Sequence, residues 1–123
     1  MPQFERLLVV LIVEDEPLLR LDAASTIEEA GFGTLEARSA DEAIAFLETD
    51  DRIAIVFADI DLPGGMDGQH LAVVVRHRWP PVEVLLTSGY VMVGNDDLPE
   101  RGRFLAKPYS AGQLIHVLQS FAH

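Results

Sequence analysis

The chain has 123 residues, a length typical of one domain, and it carries a formal net charge of −11 at pH 7. So much negative charge repels the phosphate backbone of nucleic acids, which argues against direct nucleic-acid binding. Cysteine is absent, which excludes disulfides, thiolate metal ligands and cysteine nucleophiles and suits a cytoplasmic protein.

The first predicted strand is the continuously apolar run 7–13, as expected for a strand covered on both faces of a sheet. This run is far shorter than the roughly 20 residues that span a bilayer, so no membrane segment is expected. Pro17 suits the first turn of a helix, which we predict to run to about Ala30 and to end at Gly31. A short strand is predicted over residues 34–37.

Residues 39–59 predict a helix followed by a second buried strand. Ser39 and Glu42 form the pattern of a capping box, with serine at the N-cap and glutamate three positions later. Apolar side chains then recur along one helix face, at Ala40, Ala43, Ile44 and Leu47. The apolar run 53–58 predicts a strand that ends at Asp59.

The next helix and strand follow a loop rich in proline and glycine. Leu71, Val74 and Val75 mark the apolar face of the helix, which ends at the segment 79–81 because it contains two prolines. Residues 82–86, which are apolar except for Glu83, then predict the fourth strand.

The C-terminal part of the chain contains the last strand and the last helix. Residues 90–100 include glycine, asparagine and proline and form the least helix-like connector. A short strand is predicted over 103–106. Ser110 and Gln113 form a second capping box, and the amphipathic helix that follows reaches Phe121.

Strands that alternate with helices at close spacing predict parallel pairing, with helices covering both faces of one sheet. Five such units favour a flavodoxin-like (βα)5 fold, a three-layer sandwich whose parallel sheet has the strand order 2-1-3-4-5. We therefore expect one α/β domain over residues 1–123.

Polar side chains follow the predicted strands at the points where those strands end. Glu14 and Asp15 follow the first strand, Asp59 the third, Thr87 the fourth and Lys107 the last. The carboxyl ends of parallel strands share one edge of the sheet, and ligands bind in the crevice there. We therefore expect acids, a hydroxyl and an ammonium group to converge.

Three carboxylates in one crevice repel one another, and a hard divalent cation relieves that repulsion. We expect Mg²⁺, or Mn²⁺ in its place, with Asp15 and Asp59 as direct ligands and Glu14 acting through water. A carboxylate can also attack phosphorus as a nucleophile. Lys107 and the hydroxyl of Thr87 would then bind the transferred phosphoryl group.

Four motifs carry a resemblance to a known family. They are Val13-Glu14-Asp15-Glu16-Pro17, Ala58-Asp59-Ile60-Asp61-Leu62-Pro63-Gly64, Thr87-Ser88-Gly89-Tyr90 and Phe104-Leu105-Ala106-Lys107-Pro108-Tyr109. In this order and spacing they resemble the receiver domains of response regulators, and the resemblance covers essentially the whole chain. Any one of the motifs alone would be a weak signal.

The resemblance implies that Asp59 is the phospho-acceptor. It also implies that Glu14 and Asp15 form the acidic pair of the metal site, and that the backbone carbonyl of Asp61 is a further metal ligand. The side chain of Asp61 is then expected to face solvent.

The resemblance also implies a conformational switch. Lys107 would contact the phosphoryl group, and its peptide bond to Pro108 would be cis. Thr87 would be the switch hydroxyl, and Phe104 the aromatic residue that moves with it. Ser88 is expected to make local hydrogen bonds and to take no part in the chemistry.

The implied function is signalling, with no enzymatic activity beyond self-phosphorylation and self-dephosphorylation. The phosphodonor would be a sensor histidine kinase or a histidine phosphotransfer protein. Phosphorylation would then change contacts with a downstream protein target, which the sequence does not identify.

Two positions depart from the commonest pattern of the family. The first acidic position is Glu14, where aspartate is more frequent. The segment 90–100 is rich in glycine, proline and aspartate, which does not favour a fourth helix there. The sequence therefore does not predict the surface through which receivers usually signal.

Two alternatives remain at this point. Asp59 and Asp61 also match the Asp-x-Asp signature of haloacid-dehalogenase-type phosphatases, in which the second aspartate is a general acid. The chain could also have been cut from a longer regulator. We expect a stand-alone receiver, because the sequence ends directly after its last predicted helix.

Overall fold

The structure is a computed structural model that describes residues 8–90 and 102–121. Within these two ranges it contains β1 (Val9–Val13), α1 (Pro17–Glu29), β2 (Gly33–Ala37), α2 (Ala40–Thr49), β3 (Ile53–Asp59), α3 (Gly68–Arg78), β4 (Glu83–Ser88), β5 (Gly102–Ala106) and α4 (Ala111–Phe121). None of the helices in the described ranges has the length and apolar character needed to cross a membrane. The predicted connector 90–100 lies outside the described residues from position 91 onward.

The five strands form one sheet in the order β2-β1-β3-β4-β5, and every neighbouring pair is parallel. The flavodoxin-like order predicted from the sequence is therefore confirmed. The register pairs Asp59 with Thr87 and Ser88 with Ala106. This brings the carboxyl ends of the three strands β3, β4 and β5 to the same level of one edge.

Two apolar layers fix the helices to the sheet. One layer packs α2 and α3 against side chains such as Leu11, Val56 and Leu86. The other packs α1 and α4 against side chains such as Ile12 and Phe57. Because both faces are covered, the central strands are apolar over most of their length and polar mainly at their ends, as the apolar runs in the sequence indicated.

Short polar contacts set the helix ends close to their predicted positions. Pro17 occupies the first turn of α1, and Gly31 has a φ of 99° just after that helix ends. Ser39 caps α2 as predicted, but the carboxylate of Glu42 accepts from the backbone N–H of Arg38 instead of closing the box on Ser39.

The second capping box is complete. The hydroxyl of Ser110 accepts from the N–H of Gln113 at 3.1 Å, and the side-chain oxygen of Gln113 accepts from the N–H of Ser110 at 2.8 Å. The two reciprocal bonds fix the start of α4 soon after β5 ends.

Strand β4 extends two residues beyond its predicted end at Leu86. Thr87 pairs with Asp59 on β3 and with Leu105 on β5, so it is a member of both ladders. Ser88 pairs with Ala106. Pairing on both sides continues the strand into polar residues that an apolar run does not reveal.

Candidate functional site

Three of the predicted site residues meet at the carboxyl edge of the sheet. The amine of Lys107, just after β5, lies 2.6 Å from Oδ2 of Asp59 and 3.2 Å from Oε1 of Glu14. Asp59 and Glu14 are only 5% and 7% exposed. A single ammonium group therefore binds two buried carboxylates that come from different strands.

The second carboxylate oxygen of Asp59 is also bound. The backbone N–H of Asp61 donates to Oδ1 of Asp59 at 2.9 Å. Together, the amine of Lys107 and this amide fix both oxygens, so the plane of the Asp59 carboxylate is determined by two different loops.

Glu14 is held through both its backbone and its side chain. Its N–H donates to the carbonyl of Ala37 at 3.0 Å, and Oε2 accepts from the N–H of Glu16 at 3.2 Å. The guanidinium of Arg20 donates to the carbonyl of Glu14 at 2.8 Å and to Oε1 of Glu36 at 3.2 Å. Arg20 thus ties α1 to the ends of β1 and β2.

Sequence reasoning did not identify Arg20. Its hydrogen-bond acceptor at the site is a backbone carbonyl. Every residue type has such a carbonyl, so no residue pattern indicates the contact. One usable sign is an arginine one helical turn after Glu16, because its side chain could reach back to the strand end.

Burial and neighbouring charges shift the pKa values in this cluster. Burial raises the pKa of Glu14 above its ordinary value, and the adjacent Asp59 raises it further, against the lowering effects of the Glu16 amide and Lys107. Burial alone would lower the pKa of Lys107, but the hydrogen bond and charge of Asp59, together with Glu14, raise it overall. Lys107 therefore stays protonated at neutral pH.

Asp15 has a different environment from Glu14. Its side chain is exposed, whereas that of Glu14 is buried next to Lys107. Within residues 8–90 and 102–121, no three acidic or histidine side chains are grouped closely enough to hold a metal ion. The acids that do converge are Glu14 and Asp59.

The donor set nevertheless suits a hard cation. Two buried carboxylates share one ammonium group, which leaves an excess of negative charge at the edge of the sheet. Oxygen donors of this kind are the ligands that Mg²⁺ prefers, and Mg²⁺ usually needs only one or two carboxylates from the protein.

The hydroxyl of Thr87 is directed towards β5. It donates to the backbone carbonyl of Leu105 at 2.6 Å, and the residue is buried. Phe104 is partly buried and packs on the apolar layer under α2 and α3. Of the two residues predicted to switch, Thr87 is therefore hydrogen-bonded to β5, and Phe104 packs against the core.

Ser88 makes a contact that extends beyond its own loop. Its hydroxyl donates to Oδ2 of Asp61 at 2.7 Å, and it accepts from the N–H of Tyr90 at 3.0 Å. The Tyr90 contact is local, as expected, but the Asp61 contact joins two loops. Asp61 is exposed, yet its carboxylate is bound by Ser88 instead of only facing solvent.

A cleft of about 550 Å³ opens beside the carboxylate of Asp59. It is lined by Leu19, Asp59, Asp61, Gly89, Tyr90, Lys107, Pro108 and Tyr109. The peptide bond between Lys107 and Pro108 is cis, as the resemblance implied. The ring of Tyr109 packs edge-on against Phe57, with centroids 5.8 Å apart. A small group can therefore reach Asp59 from solvent along a partly apolar wall.

The sequence matches a family model over almost its whole length. Residues 10–119 match the response regulator receiver domain. This range includes every site residue described above.

Curated relatives contain a similar segment within longer proteins. The chain is 32% identical over 117 residues to the nitrogen assimilation regulatory protein NtrX of Azorhizobium caulinodans, covering 89% of this chain and 25% of that protein. It is also 32% identical over 114 residues to the sensor kinase CckA of Brucella abortus, covering 89% of this chain and 12% of that protein. The chain thus spans a quarter or less of the length of these two relatives.

Solved structures share the fold over nearly the same range. A response regulator receiver protein from Sinorhizobium medicae has a TM-score of 0.87 at 28% identity, covering 94% of each chain. The receiver domain of the hybrid histidine kinase CckA has a TM-score of 0.79 at 28% identity, covering 94% of this chain and 99% of that one.

Proposed function

The chain belongs to the response regulator receiver domains of two-component signalling, and we propose that its phospho-acceptor is Asp59. Phosphoryl acceptance is the general function of this family. The observation that carries the assignment is the position of the Asp59 carboxylate, which is bound by Lys107 at 2.6 Å and faces an open cleft.

The proposed reaction is an in-line transfer from a phosphohistidine. An oxygen of Asp59 forms a bond to phosphorus while the bond between phosphorus and the imidazole nitrogen of the donor breaks. The electron pair of that bond stays on the imidazole, which then takes up a proton. Lys107 neutralises charge on the transferred oxygens, because its amine already lies at the carboxylate.

We further propose that Glu14, Asp15 and Asp59, with the backbone carbonyl of Asp61, hold Mg²⁺ or Mn²⁺ next to the acceptor. When bound, the cation would neutralise negative charge that develops on the phosphoryl oxygens. Glu14 and Asp59 are the two buried acids that would face it. Asp15 directly follows Glu14 and is exposed, so its side chain can turn towards the site without leaving a buried position.

The proposed output is a change of surface at the β4–β5 side of the sheet. Thr87 would leave the carbonyl of Leu105 and donate to the new phosphoryl group, and Phe104 would move into the space released. A phosphoryl group adds about −1.5 to −2 charge, which supplies the force for such a change. The two conformations then differ in the contacts they offer to a protein target.

The proposed donor is a sensor histidine kinase or a histidine phosphotransfer protein. The similarity to CckA, a sensor kinase, supports a role in such a pathway. The downstream target is a protein, and the formal charge of −11 favours a partner other than nucleic acid.

The phosphatase alternative has less support. It requires the carboxyl group of Asp61 to act as a general acid, but that carboxylate accepts a hydrogen bond from Ser88. The family match over residues 10–119 also favours the receiver function.

Phosphorylation with a small donor tests the proposal directly. The protein is incubated with acetyl phosphate with and without Mg²⁺, and the intact mass is measured for wild type and for Asp59→Asn. We expect one phosphoryl group on wild type only, and only with the metal. Wild type that stays unmodified with acetyl phosphate and with phosphorylated histidine kinases would contradict the proposal.

A further inference from the structure

We propose that Ser88 is a positioning residue, whose hydroxyl holds the loop after β3 in the geometry that Asp59 needs. The inference rests on the proposed function for its effect on phosphoryl transfer. Its structural part concerns the unphosphorylated protein alone.

The hydroxyl of Ser88 donates to the carboxylate of Asp61 and accepts from a backbone amide. It donates to Oδ2 of Asp61 at 2.7 Å and accepts from the N–H of Tyr90 at 3.0 Å. Because the Tyr90 amide occupies the acceptor side of this oxygen, the proton is oriented away from it, towards the carboxylate. A hydrogen bond to a charged acceptor is stronger than one between neutral groups.

Asp61 carries this constraint to the acceptor. Its backbone N–H donates to Oδ1 of Asp59 at 2.9 Å. Fixing the side chain of Asp61 limits rotation about its backbone, and the direction of this N–H then changes less. The same residue provides the carbonyl proposed as a metal ligand. One hydroxyl thus affects two groups that face the phosphoryl group.

Ser88 is held more rigidly in the fold than Asp61. It belongs to β4, pairs with Ala106 on β5 and is only 2% exposed. Its carbonyl also accepts from the N–H of Lys107 at 3.0 Å. Asp61, in contrast, is itself exposed, although its neighbours Ile60 and Leu62 are buried. The direction of influence therefore runs from the rigid strand to the loop.

The experiment is a double-mutant cycle with Ser88→Ala, Asp61→Ala and the double variant. The first measurement, on metal-free protein, is hydrogen exchange of the backbone amide of residue 61. The second is Mg²⁺ affinity by calorimetry, and the third is the rate of phosphorylation by acetyl phosphate as a function of Mg²⁺ concentration.

We expect Ser88→Ala to raise the exchange rate of the residue 61 amide by roughly tenfold, as for one lost hydrogen bond to a charged acceptor. Mg²⁺ affinity should fall in parallel. The Mg²⁺ concentration that gives half of the maximal phosphorylation rate should therefore rise, while the maximal rate itself should change less. The effects of the two single variants should not add in the double variant, because both remove the same bond.

Ser110→Ala is the matched control. It also removes a serine hydroxyl and a hydrogen bond, the N-cap of α4, and so lowers stability without touching Asp61. Its residue 61 amide should exchange at the wild-type rate. A general loss of stability would affect both serine variants, whereas positioning affects only Ser88→Ala.

Unchanged exchange at residue 61 in Ser88→Ala, or fully additive single effects, would overturn the inference. Wild type that accepts no phosphoryl group would contradict the proposed function instead. In that case the exchange and calorimetry measurements would still decide the role of Ser88.

Discussion

Gly68, at the start of α3, lies directly against the backbone of Asp59. A β-carbon at position 68 would be 2.3 Å from the carbonyl oxygen of Asp59 and 2.7 Å from the α-carbon of Ile60. Real β-carbons do not approach backbone atoms so closely. The absence of a side chain at Gly68 therefore sets how near α3 can come to Asp59.

We expect Gly68→Ala to displace either α3 or the end of β3. Overpacking of this kind costs about 1–3 kcal/mol of unfolding free energy, measurable by urea denaturation. The rate of phosphorylation by acetyl phosphate should fall as well, because the Asp59 backbone moves relative to Lys107.

Gly65→Ala is the control for this substitution. A β-carbon at position 65 would have no atom within 4 Å, so its effect should stay within about 0.5 kcal/mol. Equal stability of the two variants would show that the backbone near Gly68 relaxes freely.

Glu14 should make the metal-free protein less stable as the pH rises. Its pKa in the folded state lies above the ordinary 4.5, so the folded state binds this proton more tightly than the unfolded state. Stability is therefore lost from about pH 4.5 upward until the raised pKa is passed. In Glu14→Gln this loss should be absent, which urea denaturation in EDTA at several pH values would reveal.

Glu42→Gln is a control of opposite sign. Hydrogen bonds from Arg38 lower the pKa of Glu42 below 4.5, so the ionised form contributes stability that is complete above pH 4.5. The difference from wild type should be constant above that pH and should shrink below it. If the free energy of unfolding of Glu14→Gln changed with pH in parallel with that of wild type, the raised pKa assigned to buried Glu14 would be contradicted.

Thr87→Val should destabilise the unphosphorylated protein by about 1 kcal/mol. Valine has a similar shape, but it removes the donor to the partly buried carbonyl of Leu105. Thr87→Ser keeps the hydroxyl and should lose less. Urea denaturation gives both values, and a Val variant as stable as wild type would show that the bond contributes nothing.

Arg20→Met should loosen the end of β1. The Arg20 side chain is 15% exposed and binds both the Glu14 carbonyl and Glu36. We expect a loss of about 1–2 kcal/mol of unfolding free energy, as for buried hydrogen bonds from a charged group. Mg²⁺ affinity should also fall, because Glu14 is less firmly oriented.

Arg38→Met provides the comparison for Arg20. Arg38, which lies just before α2, forms an exposed ion pair with Glu42, and such pairs contribute little to stability. Similar losses of unfolding free energy in the two variants would mean that Arg20 contributes no more than an exposed ion pair.

The strand order and the meeting of Asp59, Glu14 and Lys107 at one edge could be predicted, because both follow from simple patterns. Continuous apolar runs gave the buried strands, and the polar residue after each run marked the shared edge of the sheet. Asp59, Glu14 and Lys107 were found in this way. The fold confirms the order, and the metal remains a prediction.

Other features depend on geometry that no residue pattern reveals. Which acid of the pair Glu14 and Asp15 turns inward is decided by the direction of the chain as β1 ends. The partner of Ser88 lies 27 residues away in sequence, and the partner of Thr87 is a backbone carbonyl. Such contacts require the positions of two loops to be known together.

The site joins parts of the chain that are synthesised far apart. Lys107 lies 93 residues after Glu14 and 48 residues after Asp59. Contacts with such large sequence separations form only when the intervening chain has found its place. A ribosome-bound chain that still lacks β5 would carry Asp59 without the lysine. Under the proposed function, competence to be phosphorylated would therefore come late in the life of each molecule, and it would report that folding is complete.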